Sequence, residues 1–502
     1  MITKKNQYLK LTGAVLACAV ISACSSDNTG SSLNSGTASS GDADVSQFVS
    51  IGDSLTAGFA DGALYLLGQT NSFPNILAQQ FADADGVAVN FTQPLAATNF
   101  GGFLINGNPA FLLNRLVLNT ETQSPERLAG APTEDVLTSG LNGTAFNNMG
   151  VPGAKSFDLP APGFGNPVGL PSAANPYFTR FAIDPATSSI VDDAAAQAPS
   201  FYTLWIGNND VLGFATSGGD GTNPITPTGT FDVSYSAIVG AMTVANPAVQ
   251  GVLINIPDVS TIPFFTTVPF NPVPLDQASA DGLNAAFAAY NAGVQSFVGV
   301  AGLTQEEADA RTIAFVAGEQ NALLILDEGL IDLSVISPPA TSPLINMRQA
   351  TAEDLIVLPA SAKIGELVDE NDDPLDPASP RWGVSGPLTD ADVLTATEVG
   401  LINVARTAFN ATIKATADAD DNLAFFDAAA VMAELQASGI DFGTGSVNSN
   451  FVTGGAFGLD GVHPTGRGYA VIANEIIDVI NTEFNANVFK VDPTDFPTIF
   501  LK

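Results

Sequence analysis

Short apolar runs bounded by Gly, Pro, Asn and Asp alternate along this chain with longer amphipathic stretches. Phe48-Val49-Ser50-Ile51 reads as a short buried strand ended by Gly52-Asp53. Phe201 to Ile206 is a strand closed by Gly207, Gly251 to Ile256 a strand closed by Pro257-Asp258, and Leu423 to Phe426 another. Between them, Ser72-Phe73-Pro74 marks a helix start with Asn75 to Phe81 as its body. Ser234 to Val244 and the Ala-rich Ala278 to Val298 read as helices, and Tyr469 to Phe484 as an amphipathic helix. Strands alternating with helices predict a parallel sheet with helices on both faces.

Two stretches break the rhythm. Residues 84–145 mix short apolar runs with Gly, Asn and Pro, and read as loops with a few helical turns. Residues 303–395 hold short apolar runs, such as Ala322 to Leu326 and Leu355 to Leu358, and an acidic, Pro-rich loop from Asp369 to Pro380. This span reads as a large insertion, a small antiparallel arm or lid.

The chain has 502 residues, room for one large or two medium domains. Its 46% hydrophobic content is that of a globular protein rather than a disordered or fibrous one. The 16 Lys+Arg against 51 Asp+Glu give a formal net charge of -35. Such a surface repels nucleic acid and anionic lipid headgroups, which excludes nucleic acid as a partner.

The N-terminus changes the picture. Lys4, Lys5 and Lys10 precede a short apolar run from Leu11 to Ile21, too short for a permanent membrane span. The pattern is that of a secretory signal peptide over residues 1–23. Ile21-Ser22-Ala23-Cys24 resembles the bacterial lipobox, which implies cleavage before Cys24 and lipidation of its thiol. The only cysteines are Cys18 and Cys24, so the processed chain has neither a disulfide nor a cysteine–metal site. Residues 25–44 are Ser, Gly, Ala, Thr, Asn or Asp except Leu33, so residues 24–44 read as a lipidated Cys and flexible linker. The folded body is expected over 45–490 and a tail over 491–502. Ser25 after the cysteine resembles the sorting pattern of outer-membrane lipoproteins, which implies the cell envelope.

Four separated segments carry chemistry: Gly52-Asp53-Ser54-Leu55, Asn148-Met149-Gly150-Val151-Pro152-Gly153, Gly207-Asn208-Asn209-Asp210 and Asp460-Gly461-Val462-His463-Pro464. A serine hydroxyl is a poor nucleophile until a base takes its proton, and imidazole titrates in the right range. His463 is the single histidine, so in a serine hydrolase with a histidine base it is the base by elimination. Asp460, three residues earlier, is spaced to share a tight loop with it and orient the ring.

In order and content the four blocks resemble those of the SGNH/GDSL hydrolases. The resemblance covers residues 45–60, 146–156, 200–213 and 455–484, with looser agreement between. It implies a three-layer α/β/α flavodoxin-like sandwich with a central parallel sheet, and an esterase or lipase needing neither cofactor nor metal. The catalytic residues would be Ser54, Asp460 and His463. The oxyanion hole would be the N–H groups of Ser54 and Gly153 and the side-chain amide of Asn209, with Gly150 the rival for the second donor. Asp53 and Asp210 would brace loops. Pro152 stands where relatives often have a small polar residue.

Competing patterns are weaker. Asp369/Asn371/Asp373 and Asp418/Asp420/Asn422 alternate like the start of a calcium loop but lack its glycine and distal Glu. No Gly-x-Ser-x-Gly elbow surrounds Ser54, which argues against an α/β-hydrolase. The expected partners are a small-molecule or lipid ester and, through the anchor, the membrane. The alternative is a catalytically inactive binding lipoprotein that keeps the fold.

Overall fold

The computed structural model describes residues 34–86, 90–109, 112–334, 336, 344–373, 376 and 379–502. The expected signal peptide over 1–23 and the lipidation site Cys24 lie outside the described residues.

A five-stranded parallel sheet forms the centre. Its strands are β1 (Phe48–Gly52), β2 (Asn148–Gly150), β3 (Phe201–Trp205), β4 (Gln250–Ile254) and β5 (Leu423–Phe426), in the spatial order β2-β1-β3-β4-β5. Ile51 stands opposite Met149 and Leu204, and Leu204 opposite Leu253. Successive side chains of a strand face opposite sides, and here both sides are buried. Val49, Ile51, Tyr202, Leu204 and Leu253 face one core, while Phe48, Phe201, Trp205, Val252 and Ile254 face the other. That is why these strands read as continuous apolar runs rather than alternating ones.

Helices cover each face. α1 (Ser54–Ala57) follows β1, and then come α2 (Phe73–Asp85), α3 (Asn209–Thr216), α4 (Thr228–Ala245), α5 (Gln277–Ser296), α6 (Ala396–Asp418) and α7 (Gly466–Glu483). α2 and α7 pack on the Phe48 face through Phe73, Leu77 and Phe81, and through Tyr469, Ile476 and Ile480. α4 and α6 pack on the Ile51 face, where Phe231 stacks on Phe409 with ring centroids 4.2 Å apart. Ser72 precedes α2 with Pro74 in its first turn, and Thr465 caps α7 by accepting from Gly468 N–H at 3.0 Å.

Several expectations need correction. Residues 84–145 carry antiparallel hairpins rather than helical turns: Leu104–Ile105 pairs with Asn108–Pro109, and Leu116–Asn119 with Ser124–Arg127. The first turns through Asn106-Gly107, both at positive φ (53° and 75°), the backbone that an Asn-Gly hairpin turn requires. The flexible linker expected over 24–44 does not hold for 34–44, the part of it that is described. Residues 34–44 already bind the body: Ser39 and Asn487 exchange backbone hydrogen bonds at 3.2 and 2.8 Å, and Ala43 is buried. Nor is 491–502 a loose tail. Leu118 N–H donates to Phe500 O at 2.8 Å, and the Arg115 guanidinium lies 4.3 Å from the Phe500 ring centroid.

Antiparallel pairing in the span expected as an arm starts before residue 303, where Val273–Leu275 pairs with Gly318–Asn321. Leu323, Ile325, Ile356 and Leu388 share the core of the central sheet. Phe287, Tyr290, Leu303, Phe315 and Leu333 form a separate cluster beside α5.

Candidate active site

Ligand chemistry in open parallel sheets gathers at the carboxyl ends of the strands. Here β1 delivers Ser54, β2 delivers the loop 151–156 and β3 delivers Asn208-Asn209. The β1 exit is tight. A Cβ on Gly52 would come within 2.3 Å of Thr56 Oγ1 and Trp205 O, so only glycine fits. Asp53 then caps α1, accepting from Leu55 N–H at 2.9 Å, and its other oxygen accepts from Asn208 Nδ2 at 3.0 Å. This carboxylate ties the Ser54 turn to the β3 exit.

Ser54 Oγ lies 2.9 Å from His463 Nε2, and His463 Nδ1 lies 2.8 Å from Asp460 Oδ2. Asp460 Oδ1 accepts from the N–H groups of Val462 and His463, both at 2.9 Å, and Oδ2 also accepts from Gly62 N–H at 2.7 Å. Burial pushes the Asp460 carboxyl up. The facing His463 and these hydrogen bonds outweigh that and hold it below the usual carboxylate range. Asp460 is therefore an anion fixed by donors, as orienting an imidazole requires.

The candidate oxyanion donors share one cleft with the Ser54–His463 pair. Ser54, Gly153, Asn209 and His463 all line a cavity of about 430 Å³. Gly153 has φ +82°, a conformation that glycine adopts without strain. Among the described residues, no hydrogen bond uses its N–H or that of Ser54. Gly150, the rival donor, spends its N–H on Asn148 Oδ1 at 3.0 Å. Its glycine identity serves close packing, since a Cβ there would lie 2.2 Å from Ala57 N. Asn209 Nδ2 donates to Ala154 O at 2.9 Å, which uses one of its two amide hydrogens and holds the Gly153 loop. Asp210 holds the same loop from beside it, accepting from Ser156 N–H at 2.8 Å and Ser156 Oγ–H at 2.6 Å. Pro152 lines the cleft, and its carbonyl accepts from Asn175 Nδ2 at 2.8 Å.

Sequence reasoning missed several supporting residues. Phe59 lies against the His463 imidazole with ring centroids 4.5 Å apart. Buried Asp61 accepts from Leu459 N–H at 2.9 Å and Tyr65 Oη–H at 2.8 Å, bracing the loop that carries Asp460. Arg127 lines the cleft and donates to Gly62 O and Asn114 O at 3.1 and 2.7 Å. Only Asn175 had a local signal, the Asn-Pro pair of a capped helix start. A second, mostly apolar groove of about 810 Å³ shares Arg127 and Asp460 with the site and is lined by Leu116, Phe264, Leu358 and Phe451. Phe264 lines this groove, whereas the adjacent Phe265 is buried in the core.

Burial also gives the site a pH signature. It pushes the Asp53 carboxyl up to about 6, more than the Asn208 and Leu55 hydrogen bonds can offset. The unfolded chain releases this proton near its ordinary value of about 3.9. Between roughly pH 4 and 6 the folded state thus holds a proton that the unfolded state has lost, so stability falls as pH rises through that window. Asp53→Asn flattens this decline, measured as the urea midpoint at intervals of pH. A variant whose midpoint falls with pH as steeply as the wild type's contradicts the assignment.

The chain matches no protein-family model, no curated protein and no solved structure.

Proposed function

We propose that this chain is a serine ester hydrolase of the SGNH/GDSL type, anchored to the outer membrane by lipid on Cys24. The observation that carries the reading is the Asp460–His463–Ser54 relay, with contacts of 2.8 and 2.9 Å, opening onto a cleft that also holds Gly153 and Asn209. The strand order β2-β1-β3-β4-β5 also agrees with a flavodoxin-like doubly wound sheet.

In this mechanism Ser54 Oγ attacks the ester carbonyl carbon as His463 Nε2 takes its proton. Asp460 Oδ2 accepts from Nδ1–H, fixes the tautomer and stabilises the imidazolium. The oxygen of the tetrahedral intermediate carries the new negative charge and receives the N–H groups of Ser54 and Gly153 and the free amide hydrogen of Asn209. Collapse expels the alkoxide, which takes the proton from His463 Nε2. A water then attacks the acyl-enzyme by the same route and releases the acid.

Two measurements test this. Hydrolysis of p-nitrophenyl esters from acetate to octanoate by the purified protein is the first. Turnover is expected, and its absence across the series, with no reaction toward a fluorophosphonate, favours a binding lipoprotein instead. The second is Asn209→Ala, which removes one donor to the developing oxyanion. It should lower kcat by about 10²–10³-fold with KM little changed. An unchanged kcat removes Asn209 from the oxyanion hole.

A further inference from the structure

We propose that Glu328, Asp390 and Glu398 bind a calcium ion that joins the loop after Leu324–Leu326 to the turn Asp390–Asp392 and the start of α6. The proposal is independent of the esterase reading, since none of the three lines the cleft.

Each of these residues offers a carboxylate oxygen, and the oxygens lie within 4.8 Å of one another. Two of them are buried without a donor. Glu398 is only 3% exposed, and its Oε2 accepts from Thr395 N–H and Oγ1–H at 2.7 and 2.9 Å, but Oε1 has no partner. Asp390 Oδ1 is likewise buried with no partner. Leaving such oxygens unmatched is expensive in a folded protein. Neighbouring cations are engaged elsewhere: Arg348 pairs with Asp327 and Asp354, and Lys363 with Asp392.

The backbone is shaped around the cluster. Gly218 and Gly219, just after α3, have φ +67° and +77°. A Cβ on Gly219 would fall 1.7 Å from Glu398 Oε1, and one on Gly218 would fall 2.1 Å from Asp390 O. Glycines thus let the α3 exit lie directly against the Glu398 carboxylate and the Asp390 backbone. Burial and the facing Glu328 push the Asp390 carboxyl up to about 6 and that of Glu398 up to about 7. A cation among them would relieve that repulsion. Oxygen-only ligands of this kind suit a hard cation, and the exposed Glu328 leaves one side of the cluster open to solvent, which suits calcium's six to eight ligands.

Thermal unfolding of the EDTA-treated protein tests this, read with and without about 5 mM calcium chloride. Sodium chloride of equal ionic strength is the control, because a chain this acidic attracts any cation. Calcium should raise Tm by about 3 °C or more beyond that control. Glu328→Gln, at an exposed position that the core does not need, should abolish the extra rise. Calorimetric titration should show one site that this variant loses. A rise matched by sodium chloride overturns the proposal, as does a Glu328→Gln protein that responds like the wild type. A wild type indifferent to calcium but stabilised on acidification through Glu328 would hold a shared proton there, which also overturns it.

Discussion

Replacing Ser54 by Ala lowers kcat for a short p-nitrophenyl ester by roughly 10⁴- to 10⁶-fold, and His463→Ala does the same. The double variant is no worse than either single one. The two side chains meet at 2.9 Å and work as one unit, so removing either leaves only binding and the oxyanion donors. Ser54 is the first residue of α1, and its hydroxyl faces His463 across the site rather than filling the core. The Ala variant should therefore keep the wild-type Tm within a few degrees. Losses under tenfold, or single losses that multiply in the double variant, contradict the relay.

The second large effect is at Asp460. Asp460→Asn should lower kcat by about 10⁴-fold with KM little changed. The carboxylate accepts four hydrogen bonds, from His463 Nδ1, from the N–H groups of His463 and Val462, and from Gly62 N–H. An amide in its place presents a donor to one of them and favours the wrong imidazole tautomer. The variant should also lose stability at neutral pH. A carboxyl held below its ordinary value in the fold contributes stability above the unfolded pKa of about 3.9, and that contribution disappears as pH falls through the lower folded value. Neutral and strongly acidic urea titrations of the two proteins measure this, and the gap between them should close in acid. A variant that changes KM alone, or loses less than tenfold in kcat, separates Asp460 from the relay.

Much of this architecture is legible where a signal is local. β1, β3, β4 and β5 stand out as apolar runs because helices bury both faces of the sheet. α2 is announced by its start at Ser72, and α7 by its amphipathic run from Tyr469. The spacing of Asp460 and His463 suffices to place both in one loop, and having a single histidine removes any choice of base.

Other features are set by partners distant in the chain. β2 has only three residues and exists because β1 offers Asn148, Met149 and Gly150 a free edge. The brace from Asp61 to Leu459 spans 398 positions, and nothing near Asp61 foretells it. The docking of residues 34–44 depends on Asn485 and Asn487, which give a polar segment the hydrogen bonds that its composition cannot supply alone. Two overlooked signals were local. Asn106-Gly107 directly after Leu104-Ile105 is a strong hairpin cue, and Thr395 with Glu398 forms the capping box that opens α6. The same Glu398 then turns its second oxygen into the acidic cluster, a role that a capping pattern does not predict.

The most direct test is covalent labelling with a fluorophosphonate, followed by peptide mapping of the adduct. The phosphorus should be found on Ser54, at one equivalent per chain, with no adduct in His463→Ala. A folded protein that stays unlabelled, or carries the label on another serine with Ser54 unmodified, would contradict the assignment of Ser54 as the nucleophile.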